Sequence, residues 1–228
     1  MTNFNKERNV CFGVAFLLMF IIGTYFVHIP WNIERLNISE SQLGFGIFIF
    51  GIFNFFSNQI SGRLIVPKIG TTNTIVLGII IFAFCTLLLI SVPNYSSFLI
   101  SWIPFGIAIG LLFPTMQTQI SIIEEKTSKI VTPLFQACFS AGSLFGAFCA
   151  AFFIKNIPDP RITFFLIGSI FLIYIVIIFL CGMKREIEPI QKNIKFKIPS
   201  KNIFIYGFLL MMNFATLGII IDWSPVWL

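Results

Sequence analysis

Seven stretches of this chain, each 18 to 24 residues long, contain no Asp, Glu, Lys or Arg: Val10 to Ile29, Leu43 to Ile60, Thr74 to Val92, Ser97 to Met116, Val131 to Ile154, Ile162 to Gly182 and Ile203 to Ile221. At about 1.5 Å per helical residue the shortest of them reaches about 27 Å, which matches a hydrocarbon core of ~30 Å. A membrane strand needs only about ten alternating residues, whereas the apolar character here is unbroken, so the pattern predicts helices and excludes a barrel. A soluble globule is excluded too. Only 11% of the 228 residues are charged, against about a quarter in ordinary soluble domains. Most prolines respect these borders; only Pro104 and Pro114 fall well inside a run, with Pro133 in a first turn, where a missing N–H costs nothing.

The basic residues set an expected orientation. With the N-terminus in the cytoplasm, Lys6, Arg8, Arg63, Lys68, Lys126, Lys129, Lys184, Arg185, Lys192, Lys195, Lys197 and Lys201 are inside, and Arg35, Lys155 and Arg161 are outside. This bias follows the positive-inside rule. The net charge of +6 is therefore topology, and no nucleic-acid partner is expected. All five cysteines lie in apolar runs without a C-x-x-C pair, so neither a metal nor a disulfide is expected, and no cofactor is implied.

The last run repeats the first. At an ungapped offset of 192, Phe12, Phe16, Leu17, Leu18, Met19, Thr24, Ile29, Trp31 and Leu36 meet Phe204, Phe208, Leu209, Leu210, Met211, Thr216, Ile221, Trp223 and Leu228. The expected organisation is a six-helix transmembrane bundle over 1–182, a basic cytoplasmic connector over 183–202, and over 203–228 the first helix of a truncated second bundle.

Several strings carry a family resemblance. Ser61 to Gly70, with Gly62, Arg63, Lys68 and Gly70, is similar to the basic, Gly-rich link between helices 2 and 3 of the major facilitator superfamily. It lacks that link's Asp and closing basic cluster. The stretch through Gln119, Glu124, Gln136, Ala137, Ser140, Gly142 and Gly146, and the end Asp222-Trp223-Ser224, resemble the superfamily's fucose-permease-like bacterial inner-membrane branch. The resemblance implies an all-α multi-pass membrane protein, a six-helix half plus the first helix of the second, helices 1 to 7 of twelve. It implies a secondary active transporter, or a truncated part of one, that moves a small polar solute by alternating access. A sugar is one option for the solute, and proton coupling one option for the drive. The helix 5 antiporter signature is absent, which favours uptake.

Polar groups within spans are the candidate pathway residues, because each must face protein or a wet cavity. The superfamily lines its cavity with helices 1, 4, 7 and 10, so the resemblance puts Thr24, Tyr25, His28, Asn213, Thr216 and Asp222 first. His28 and Asp222 are the members suited to carry a proton near neutral pH; the commoner reading of each is an interfacial group at a helix end. Secondary candidates are Asn54 and Asn58, which share a face with Gly51 and Ser61, and Gln136 and Ser140, which share one with Ser143 and Ala147. Helix packing competes with a pathway role for all of them. The stripe Gly142, Gly146, Ala150 reads as close helix contact, and Gly106 and Gly110 permit close approach beside the two inner prolines.

A retinal photoreceptor needs a lysine in the seventh span, and Ile203 to Ile221 has none. An intramembrane enzyme is not expected either, since no G-x-S-x-G, paired aspartate or H-E-x-x-H pattern occurs. A non-transporting remnant or scaffold, and a half-transporter that needs a separately encoded C-terminal partner, remain open alternatives. The isolated chain is expected not to transport alone.

Overall fold

The structure, a computed structural model, describes residues 3–157, 159–181 and 200–227. The described elements are α1 (Asn3–Val27), α2 (Ile29–Leu36), α3 (Glu40–Ile60), a π-helical turn (Ser61–Ile65), α4 (Val66–Ser91), α5 (Tyr95–Thr127), α6 (Thr132–Asn156), α7 (Pro160–Leu180) and α8 (Lys201–Trp227). Residues 1–188 form one unit and 189–228 another. The connector expected over 183–202 lies outside the described residues up to position 199. The seven apolar runs underlie α1, α3, α4, α5, α6, α7 and α8.

Local chemistry sets the ends. Pro30 opens α2, and Asn37 closes it at φ 48°, a left-handed position that Asn tolerates. Ser39 and Gln42 form a reciprocal capping box at the start of α3, so two otherwise orphaned N–H groups are satisfied. Asn94 caps α5 by accepting from Ser97 N at 2.9 Å, and Asp159 caps α7 by accepting from Arg161 N at 2.9 Å.

Side-chain contacts give the direction of each helix. Gly46 of α3 meets Trp102, Gly110 meets Asn54 and Ser57, and Ser61 meets Thr115, so α3 and α5 run parallel. Thr71 meets Gln119, Gly78 meets Leu112 and Phe82 meets Phe105, so α4 runs against α5. The chain therefore reverses between Ser61 and Thr71. That reversal is at Gly70, whose φ of 81° and ψ of 166° break the helical path. Only glycine adopts such angles without strain.

In the same way α1 runs parallel to α6 and against α7, because Phe12 meets Phe135, Phe16 meets Phe145, and Tyr174 meets Val10 while Phe164 meets Tyr25. The order α3, α5, α1, α6 makes one layer, with α4 and α7 packed behind it. Lys6, Arg8, Arg63, Lys68, Lys126 and Lys129 collect at the end holding the reversal and the α5–α6 turn; Arg35, Lys155 and Arg161 lie at the other.

Glycine sets how close the helices come. A Cβ on Gly142 or Gly146 would strike the carbonyl oxygens of Phe16 or Phe20 on α1, and one on Gly110 would lie 2.6 Å from Asn54 O. Lipid is as apolar as leucine, so association in a membrane depends on such contact rather than on burial from water. Replacing Gly146 with Leu is expected to cost about 1–3 kcal/mol or more through overpacking, read as a lowered thermal midpoint in detergent. Gly51→Leu, where a Cβ meets nothing within 4 Å, should leave the midpoint unchanged; equal losses at both sites would contradict the α1–α6 contact.

Candidate functional site

The α1 candidates lie in the interior of the bundle. Thr24 Oγ1 is 2.8 Å from Phe20 O of its own helix and 3.1 Å from Gly146 O of α6, so its one hydrogen is shared between the two carbonyls. Tyr25 is buried with its ring against Trp102, Phe105 and Phe164 at 6.0 to 6.3 Å. His28 is buried as well. Its Nδ1 is 2.8 Å from Thr24 O, which places a hydrogen on that nitrogen because a carbonyl only accepts. Its ring stands edge-on to Phe164 at 5.4 Å.

Just beyond these residues α2 forms a clasp that sequence reading did not anticipate. Arg35 donates to Asn32 Oδ1 at 3.0 Å and to Val92 O, and its guanidinium lies 4.8 Å over the Trp31 ring. The spacing of Trp31, Asn32 and Arg35 behind Pro30 was the available signal. It describes one helical turn with an aromatic platform for a cation.

On α3 the structure splits the Gly51, Asn54, Asn58, Ser61 stripe. Ser61 turns into the α5 seam, 3.2 Å from Thr115 Oγ1, beside Ser57 Oγ, which donates to Ile107 O at 2.8 Å. Asn54 is half-buried with its backbone against Gly106 and Gly110, while Asn58 and Gly51 are exposed. Phe45, Ile52, Phe56 and Ile60 form the opposite, exposed flank.

A similar division runs along α6. Phe135, Phe139, Gly142, Gly146 and Ala150 are buried. At 100° per residue, Gln136, Ser140, Ser143 and Ala147 lie on one flank of this seam and Leu134, Phe145, Phe148 and Phe152 on the other. Phe139 stacks on Phe113 of α5 at 5.0 Å, so the polar flank is the one beside α5. Gln136 and Ser140 are exposed, and Ser140 Oγ is 3.4 Å from Gln136 O.

The link that contains Gly62, Arg63, Lys68 and Gly70 is helical on both sides of the Gly70 break rather than a loop. Gly62, Arg63 and Lys68 are exposed and Gly70 is buried. Thr71 Oγ1 donates to Gln119 Oε1 at 2.6 Å, and Thr74 Oγ1 to Gly70 O at 2.8 Å. At the same end Glu124 Oε1 accepts from Val131 N and Thr132 N at 2.6 and 2.7 Å, closing the α5–α6 turn. On α8, Thr216 Oγ1 donates to Met212 O at 2.9 Å; the side chains of Asn213 and Asp222 lie outside the described residues. Among the described residues no cluster of His, Cys, Asp and Glu suited to a metal ion occurs.

The family described as the Major Facilitator Superfamily matches residues 11–228. An uncharacterized MFS-type transporter of Yersinia pestis is 23% identical over 205 residues, covering 88% of this chain and 52% of that protein. Two crystal structures of the peptide transporter POT in complex with sulfate, one of them of a mutant, each share the fold. Their TM-score is 0.60 at 16% identity over 96% of this chain and 46% of theirs. The chain thus spans about half the length of the proteins it matches.

Two measurements check the link. Gly70→Ala is expected to cost about 1–3 kcal/mol, because a Cβ is strained at these angles, and to lower the thermal midpoint in detergent. A double-mutant cycle on Thr71→Val and Gln119→Leu is expected to return a coupling of about 0.5–1.7 kcal/mol, as for other hydrogen bonds between membrane helices. A coupling of zero would contradict the bond.

Proposed function

Because the chain belongs to the Major Facilitator Superfamily, we propose that it is the N-terminal part of a secondary active transporter that moves a small polar solute by alternating access. The observation that carries this reading is the six-helix bundle itself. It sets α3, α5, α1 and α6 in one layer and exposes neutral polar side chains on its outer members, Asn58 on α3 and Gln136 and Ser140 on α6, as the wall of a carrier of two parallel halves requires. Asn54, Asn58, Gln136 and Ser140 are the pathway residues we favour on this unit, with Asn213, Thr216 and Asp222 as the contribution of α8. Thr24, Tyr25 and His28 act behind that wall. Proton coupling through His28 or Asp222 and a sugar as solute remain part of the proposal, as does placement in a bacterial inner membrane. A cytoplasmic N-terminus is supported by the separation of basic residues between the two ends.

Uptake by proteoliposomes tests this. With the chain alone, no solute should accumulate; with the C-terminal half of a related carrier supplied as a separate polypeptide, accumulation of a neutral sugar should appear. Accumulation by the chain alone would contradict the half-carrier reading, and none in either case would favour a non-transporting remnant or scaffold.

A further inference from the structure

Gln117 is a polar residue of α5 that no motif singles out. It lies one helical turn beyond Phe113, on the side toward the α5–α6 turn, and is half-buried. Gln136 lies one turn from Phe139 toward that same end and is exposed. The stacked Phe113 and Phe139 rings, 5.0 Å apart at 11°, fix the register of the two helices. The bonds from Val131 and Thr132 to Glu124 fix it again at the turn. Gln117 is therefore about 6 Å and Gln136 about 4.5 Å past the ring pair, measured along each axis. The two amides share a depth and a side.

An amide with free donors and acceptors is costly against lipid, so it faces protein or water. The lipid-suited flank of α6 is the other one, with Leu134, Phe145, Phe148 and Phe152 exposed. The polar flank of α6 carries no charged residue; at the turn Glu124 is engaged by two backbone N–H groups, and the buried Glu7 lies on α1, more than a helical turn beyond Phe12 toward the same end. Each amide offers two donors and an acceptor with no net charge, a set that suits hydroxyl- or amide-bearing neutral solutes and gives nothing to offset a buried ion.

We infer that Gln117, paired in depth with Gln136, is a specificity-determining residue of the solute path and selects uncharged, hydroxyl- or amide-bearing solutes. The inference rests on the transporter reading, but its wet wall is testable without transport. The chain, with its five cysteines replaced by alanine and with single Gln117→Cys, Gln136→Cys, Ser140→Cys or Phe148→Cys substitutions, is reconstituted in liposomes together with a cysteine-free C-terminal half of a related carrier. Modification by a charged, water-soluble methanethiosulfonate is then timed. Gln117→Cys and Gln136→Cys should react about tenfold faster than Phe148→Cys, as a wet site does relative to lipid. Ser140→Cys keeps the test open if a glutamine variant does not fold. Equal rates would overturn the inference even where uptake occurs. Galactose or N-acetylglucosamine at saturating concentration should slow the reaction at Gln117→Cys by about threefold or more by occupying the site. Protection by succinate or choline instead, or by none of the four, would overturn the solute class.

Discussion

The close approach of helix backbones at glycine is the contact on which the bundle depends. Gly142 and Gly146 let α6 lie against the carbonyls of α1, and Gly106 and Gly110 let α5 lie against those of α3. In lipid no hydrophobic force draws these helices together. Contact at short range supplies the attraction, because dispersion is lost once a gap of even an ångström opens. The two glycine seams form pairs, and α4 and α7 hold the pairs to each other from behind.

Short backbone separation also decides where the polar groups go. Thr24 reaches Gly146 O, Ser57 reaches Ile107 O, and Ser61 reaches Thr115 only because the backbones are already close. A hydroxyl satisfied in this way is a fastener between helices. The groups left over are amides on the flanks of α3, α5 and α6, beside the seams rather than in them. That division leaves neutral amides beside the seams.

Much of this was legible in the sequence. Uncharged runs locate the seven long helices among the described residues, since a span without strand alternation satisfies its backbone only as a helix, and the spacing of Gly142, Gly146 and Ala150 marks a packed stripe. Pro104 and Pro114 stay inside α5 as expected. The orientation of individual polar residues was not legible. A span is apolar all round, so no amphipathic phase says which side is inward, and Thr24, Tyr25 and His28 read as well for a cavity as for the interior they occupy. α2 is not found by a reading built on long uncharged runs, because its eight residues include Glu34 and Arg35 and are too short to span, and the helical path around Gly70 is not found because its angles are a property of the fold. Gln117 was passed over because its place depends on the stacking of Phe113 on Phe139.

On the proposed reading α6 has three differently solvated sides: packed, lipid-facing and wet. A nitroxide scan from Gln136 to Phe152 by electron paramagnetic resonance tests it directly. Relaxation by oxygen, which concentrates in lipid, is compared with relaxation by a water-soluble nickel chelate. Oxygen maxima at Leu144, Phe148 and Phe152, nickel maxima at Gln136, Ser140 and Ala147, and minima of both at Phe139 and Ala150 are predicted. Oxygen and nickel maxima in the same phase, or high access at Phe139, would contradict it.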